Sequence, residues 1–147
     1  MRRSAGLTLL VSFGVLIGLS AYAQTGKAAV VWPAGEIKWI ENPAMKGAKL
    51  AVLWGDPKTG SYGALKTFAA GSKLALHSHS SDQKVIAVSG VIVLSMEGSP
   101  ARGLTAGSYV FIPGGAKHAV ECAPGAECVY FEEQQGPSDI KFAEPTK

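Results

Sequence analysis

Eight short runs rich in β-branched and aromatic residues, at 48–54, 62–68, 73–77, 84–89, 91–96, 108–112, 117–122 and 128–133, succeed one another along the chain. Between them stand Gly55-Asp56-Pro57, Gly71-Ser72, Glu97-Gly98-Ser99-Pro100, Pro113-Gly114-Gly115 and Ala123-Pro124-Gly125, residues that favour tight reversals over continued strand. No segment sustains a helical period. Strands this short and this regularly spaced predict an all-β antiparallel sandwich or barrel.

Two glycine-framed stretches of that pattern carry all three of the chain's histidines. In the first, Gly71 to Gly90, the triplet His77-Ser78-His79 falls where an extended strand sends alternate side chains to the same face. Two neutral imidazoles on one face make half of a metal site. In the second, a short apolar strand after Gly107 ends in Pro113-Gly114-Gly115 and is followed by His118. Three imidazoles can then occupy one side of a divalent ion, iron, manganese, zinc, nickel or copper, with the far side open to water or substrate. The plainer alternative is three core histidines satisfied by backbone hydrogen bonds. The spacing of all three favours metal.

The first 23 residues read as a signal peptide: Met1-Arg2-Arg3 is basic, 7–19 is an apolar run, and Ala21-Tyr22-Ala23 places small residues where a signal peptidase reads. Cleavage is expected after Ala23. A permanent membrane helix is the competing reading, but the apolar run falls short of the roughly 20 residues that span a bilayer. No membrane anchor is expected after cleavage, and the location expected is periplasmic or secreted. Removal of Arg2 and Arg3 lowers the formal charge from +3 to +1, so nucleic acid is not an implied partner. What remains suits one small domain. Residues 24–47 are expected to form an arm that docks through Trp32, Ile37, Trp39 and Ile40; 48–135 form the domain, and 136–147 a tail pinned by Ile140 and Phe142.

The two glycine-framed stretches resemble the two motifs of the cupin superfamily. The first motif is matched by Gly71, His77, His79, Gln83 and Gly90, and the second by Gly107, Pro113, Gly115 and His118, with sixteen residues between Gly90 and Gly107. A weaker similarity, through Leu53-Trp54-Gly55-Asp56-Pro57, is to small single-domain cupins related to the metal-binding domain of ChrR-type anti-sigma factors. The resemblance implies a double-stranded β-helix, a jelly-roll barrel with a metal in its mouth held by His77, His79, Gln83 and His118. It also implies a small-molecule ligand or substrate, and a homodimer. Two positions depart from the family pattern. Gln83 stands where a metal-binding glutamate is usual, and Cys122 where the second motif usually ends in asparagine.

Glutamine at position 83 changes the chemistry, because a neutral amide can be neither a charge-neutralising ligand nor a general base. It is read either as a weak ligand or as a hydrogen-bond donor to bound water or substrate. Asp82, the one carboxylate close by in sequence, is expected beside the site or in solvent. Cys122 and Cys128 bracket a hairpin turn, and in an exported chain an even count favours a disulfide. Glu132 and Glu133 are adjacent on a strand and cannot form a carboxylate pair. Tyr62, Tyr109 and Tyr130 are read as core or rim aromatics, one of which could face the cavity. Strand alternation puts Leu74 and Leu76 opposite His77 and His79, needing cover from the arm or a second subunit. Two functions remain open: a metal-dependent enzyme, an oxygenase or related lyase or isomerase acting on a small oxygen-rich molecule, or a non-catalytic cupin whose ion, such as zinc, holds a ligand or stabilises the barrel.

Overall fold

The computed structural model describes residues 28–144 apart from 43, 44 and 46. The cleavage site expected after Ala23 lies outside the described residues. The compact fold begins at Trp32, and residues 28–31 fall outside it. After a short 3-10 turn at Ala34–Glu36 it is built of strands alone: β1 (Ile40–Glu41), β2 (Lys49–Gly55), β3 (Tyr62–Phe68), β4 (Lys73–Ser78), β5 (Gln83–Ser89), β6 (Ile92–Met96), β7 (Arg102–Leu104), β8 (Tyr109–Ile112), β9 (His118–Cys122), β10 (Cys128–Gln134) and β11 (Lys141–Phe142). No described helix is long and apolar enough to cross a membrane.

The strands form two antiparallel sheets, one in the order β1-β2-β3-β10-β5-β8 and the other in the order β11-β4-β9-β6-β7. All eight expected runs are strands, within a residue or two of their sequence limits. Three further strands are too short to leave a periodic signal: β1 in the arm, β7, and β11 in the tail. Burial follows the two-residue period. Along β10, Cys128, Tyr130, Glu132 and Gln134 are buried, and the residues between them are half-exposed.

The core lies between the sheets at one end, where Phe68, Val85, Ala87, Ile92 and Tyr130 pack around a disulfide joining Cys122 to Cys128, whose Cα atoms are 5.7 Å apart. Gly90 turns β5 into β6 beside that bond. Its φ of 72° suits glycine, and a Cβ there would lie 2.7 Å from the Glu127 carbonyl and 3.0 Å from Cys128 Sγ.

Two expectations are corrected. The alternation that put Leu74 opposite the histidines is broken by a bulge. Leu74 pairs with Val120 and His77 with His118, so β4 spends three residues where β9 spends two. Leu74 and His77 therefore line the same cavity. The arm is held by the pairing of β1 with β2 and by one indole hydrogen bond, Trp32 Nε1 donating to the Leu53 carbonyl at 3.2 Å, rather than by burial of its large apolar side chains: Trp32, Trp39 and Ile40 stay substantially exposed.

Candidate metal centre

Beyond the core the sheets separate around a cavity of about 430 Å³. His77 reaches it from the end of β4, His79 from the turn that follows, and His118 from the start of β9. Ring centroids are 4.3 Å apart for His77 and His118, 4.9 Å for His77 and His79, and 5.4 Å for His79 and His118. One ring nitrogen from each lies within 4.8 Å of the others, a grouping that could hold a metal ion.

The backbone fixes which nitrogen that is. Nδ1 of His77 lies 2.7 Å from the Ala75 carbonyl, Nδ1 of His118 lies 3.0 Å from the Ala116 carbonyl, and Nδ1 of His79 contacts the carbonyl of Asp139. A carbonyl only accepts, so each Nδ1 carries the proton and each Nε2 keeps its lone pair for the cavity. Burial, which disfavours the charged ring, lowers all three histidine pKa values, that of His77 to about 4. Three neutral imidazoles oriented by backbone acceptors are the donor set a divalent transition-metal ion requires.

Two loops hold the histidines in place. The turn after β4 and the Pro113-Gly114-Gly115 turn touch, the amide of Gly115 donating to the His79 carbonyl and that of Gly114 to Asp82 Oδ1, both at 2.8 Å. A Cβ on Gly114 would come within 2.6 Å of the Ser80 carbonyl, which explains the first of the turn's two glycines. Asp82 is thus a brace between the two loops. The tail contributes as well. β11 pairs with the His77 end of β4, and the Asp139 carboxylate accepts from the Ser80 amide at 2.9 Å and the Ser80 hydroxyl at 2.5 Å.

Gln83 opens β5 and lines the same cavity, buried to 3 % exposure. Its Nε2 donates to Gln134 Oε1 at 3.4 Å, and Gln134 Nε2 donates to the Pro137 carbonyl at 2.8 Å. That chain of donors sets the amide so that the Gln83 carbonyl oxygen is the atom left for other partners.

The opposite wall carries groups that sequence reasoning did not assemble. Lys66 and Glu132 form a buried ion pair at 2.5 Å, and the Tyr62 hydroxyl lies 2.9 Å from Glu132 and 3.1 Å from Gln134. Burial pulls the Glu132 carboxyl upward, but the charge and hydrogen bond of Lys66, with the Tyr62 hydroxyl, outweigh it and leave the pKa below its ordinary value. Glu132 and, at the mouth, Asp139 are the carboxylate residues that line the cavity; Asp82 does not. The one available sequence signal was a charged residue alternating with Tyr130 and Gln134 on a strand of inward-facing periodicity. Glu133 points outward to Lys84 at 2.7 Å, Tyr62 and Tyr130 line the cavity, and Tyr109 is exposed.

A jelly roll with three histidines converging in its mouth is the architecture of a cupin. The chain belongs to the family described as a domain of unknown function (DUF4437), which matches residues 22–131. No curated protein matches it in sequence. In fold it is similar to the polyketide cyclase RemF from Streptomyces resistomycificus, at 15 % identity and a TM-score of 0.67 over 82 % of this chain and 89 % of that one. An RmlC-like cupin from Shewanella frigidimarina is similar at 18 % identity and a TM-score of 0.60, over 76 % and 93 %. A chain from the crystal structures of the DMSP lyases RdDddP and RnDddQII matches at 17 % identity and a TM-score of 0.61; 74 % of this chain is covered, but it spans only 63 % of that longer one.

Proposed function

We propose that this protein is an exported, metal-dependent cupin enzyme of oxygenase, lyase or isomerase type. His77, His79 and His118 bind one divalent ion through Nε2, and Gln83 lies beside it. The observation that carries the reading is the shared tautomer: three Nδ1–H groups tied to backbone carbonyls leave three lone pairs on one cavity. A divalent ion there supplies a Lewis acid that polarises an oxygen-bearing substrate, and without a carboxylate among its ligands it keeps its full charge.

The chain's own residues do the rest. The loop contacts of His79 and Asp82 fix the ligand geometry, Gln83 offers its carbonyl oxygen to the ion or to a bound water, and the apolar walls exclude bulk solvent. Similarity of fold to proteins titled a cyclase and lyases supports an enzymatic role for such a cavity. Export is supported by the disulfide, which oxidising compartments maintain. A homodimer is proposed on the exposed apolar residues Ile86, Val88, Tyr109 and Phe111 of one sheet.

The test is metal analysis of the protein recovered from the periplasm, with its mass expected to begin at Gln24. Oxygen-uptake and product assays on small phenols, diketones and thiols follow. Protein that contains no divalent metal overturns the site; metal-loaded protein with no oxygen uptake and no product overturns the enzymatic role.

A further inference from the structure

The ion pair on the wall facing the histidines has no part in the metal reading, yet it sits in the apolar depth of the barrel. Strand register gives its position. On β10, Gln134 is level with Gln83 and Tyr62 at the histidine end, and Cys128 lies at the disulfide end. Glu132 is one two-residue step inward from Gln134, roughly 7 Å along the strand. It is level with Val85, and through β5 with Val110; on the facing sheet Leu94 and Val120 stand one two-residue step inward from His118. All four line the cavity.

A buried ion pair among valines and leucines is a poor stabiliser, because desolvation of the two charges offsets most of their attraction. The hydrogen bonds of this one are also lopsided. Lys66 Nζ and the Tyr62 hydroxyl both bind Oε1 of Glu132. Oε2 takes no hydrogen bond from the described residues and yet is not sealed from the cavity, since no fully buried side-chain oxygen lacks a partner. A charged carboxylate oxygen turned into an apolar chamber is an acceptor awaiting a donor.

We infer that Glu132 Oε2 is a second polar subsite, which accepts a hydrogen bond from a hydroxyl group at the far end of a largely apolar ligand whose near end carries the oxygens bound at the histidine centre. The inference rests on the metal reading for the near end and on the cavity alone for the far end. It narrows the substrate from an oxygen-rich molecule to an amphipathic one: an oxygen-bearing head, an apolar body between Val85, Leu94, Val110 and Val120, and a terminal hydroxyl. Lys66 is a positioning residue, holding the carboxylate ionised and turned so that Oε2 stays free.

The test is calorimetric titration of zinc-loaded protein with benzohydroxamic acid and with 4-hydroxybenzohydroxamic acid, which differ only in the distal hydroxyl. The hydroxyl should tighten binding about tenfold, as hydrogen bonds to charged groups do. In the Lys66→Met/Glu132→Leu double variant, which removes both charges together, the two compounds should bind equally while zinc affinity stays within about threefold of wild type. Glu132→Gln, which keeps a neutral acceptor, should retain about a threefold preference. Equal binding by wild type, or an undiminished preference in the double variant, overturns the subsite. Zinc content is measured on the same samples by chelator competition, so failure of the metal centre is seen separately. In that event 4-ethylphenol is compared with ethylbenzene on the metal-free protein, and the absence of a preference for the phenol overturns the subsite on its own.

Discussion

The Nδ1–H of His79 is held by the backbone carbonyl of Asp139, sixty residues farther along the chain. The tail is therefore part of the site. Hydrogen-bond partners behind a metal ligand typically contribute 10- to 100-fold in affinity. A chain ending at Gly136 loses that carbonyl, the Asp139 brace on Ser80 and β11 together, and is expected to bind zinc at least about tenfold more weakly than the full chain. Competitive chelator titration reads it, and unchanged affinity would show that His79 needs no partner.

Replacing His77 or His118 by alanine removes one of three ligands and leaves a cavity, so neither variant should carry stoichiometric divalent metal after gel filtration. Retention of metal by both variants sinks the assignment.

Gln83→Glu places a charged oxygen where a neutral one stands. Metal affinity should rise by charge neutralisation, while the acidity of metal-bound water and the turnover both fall. Gln83→Ala should keep most of the metal on three histidines. A loss of metal in Gln83→Glu as large as that in His77→Ala would place Gln83 away from the ion.

In the metal-free protein, acid should act through the buried histidines. The folded pKa of His77 is about 4 against an ordinary value of 6.5, so below 6.5 the unfolded chain binds the proton that the folded one refuses. The stability present above pH 6.5 should be lost as the pH falls to 4, by on the order of 3 kcal/mol from His77 alone. Urea titrations of metal-free protein at pH 7 and pH 4.5 measure it, and His77→Gln should flatten the difference.

Intact-mass analysis under denaturing conditions without reductant should find no alkylatable thiol, because Cys122 and Cys128 are bonded. Closing so short a loop constrains the unfolded chain only modestly, so reduction is expected to lower stability by about 2 kcal/mol without unfolding the barrel. Two free thiols in the native protein contradict this.

The eight longer strands and the three histidines could be read from the chain because both are local patterns: a two-residue period between turn-formers, and His-x-His on one strand face. What escaped is what depends on pairing across the fold. The bulge that turns Leu74 inward exists only in the register of β4 against β9. The Asp139 carbonyl belongs to a segment with no periodicity, and its role is a backbone contact that any residue type could make. Glu132 could be read only as unable to pair with its neighbour Glu133; it sits inside because Lys66, distant in sequence, comes with it from β3.

β10, near the end of the chain, is the strand that joins the two halves of its sheet, lying between β3 and β5. A chain emerging from its N-terminus can zip β2 onto β3 and, once β8 has followed, β5 onto β8, but these two strand pairs share no edge until residues 128–134 arrive. Such late, non-local closure makes folding slow and all-or-none. A partly made chain thus has no finished barrel. It also has no Lys66–Glu132 pair, so the inner chamber takes shape only once β10 is in place.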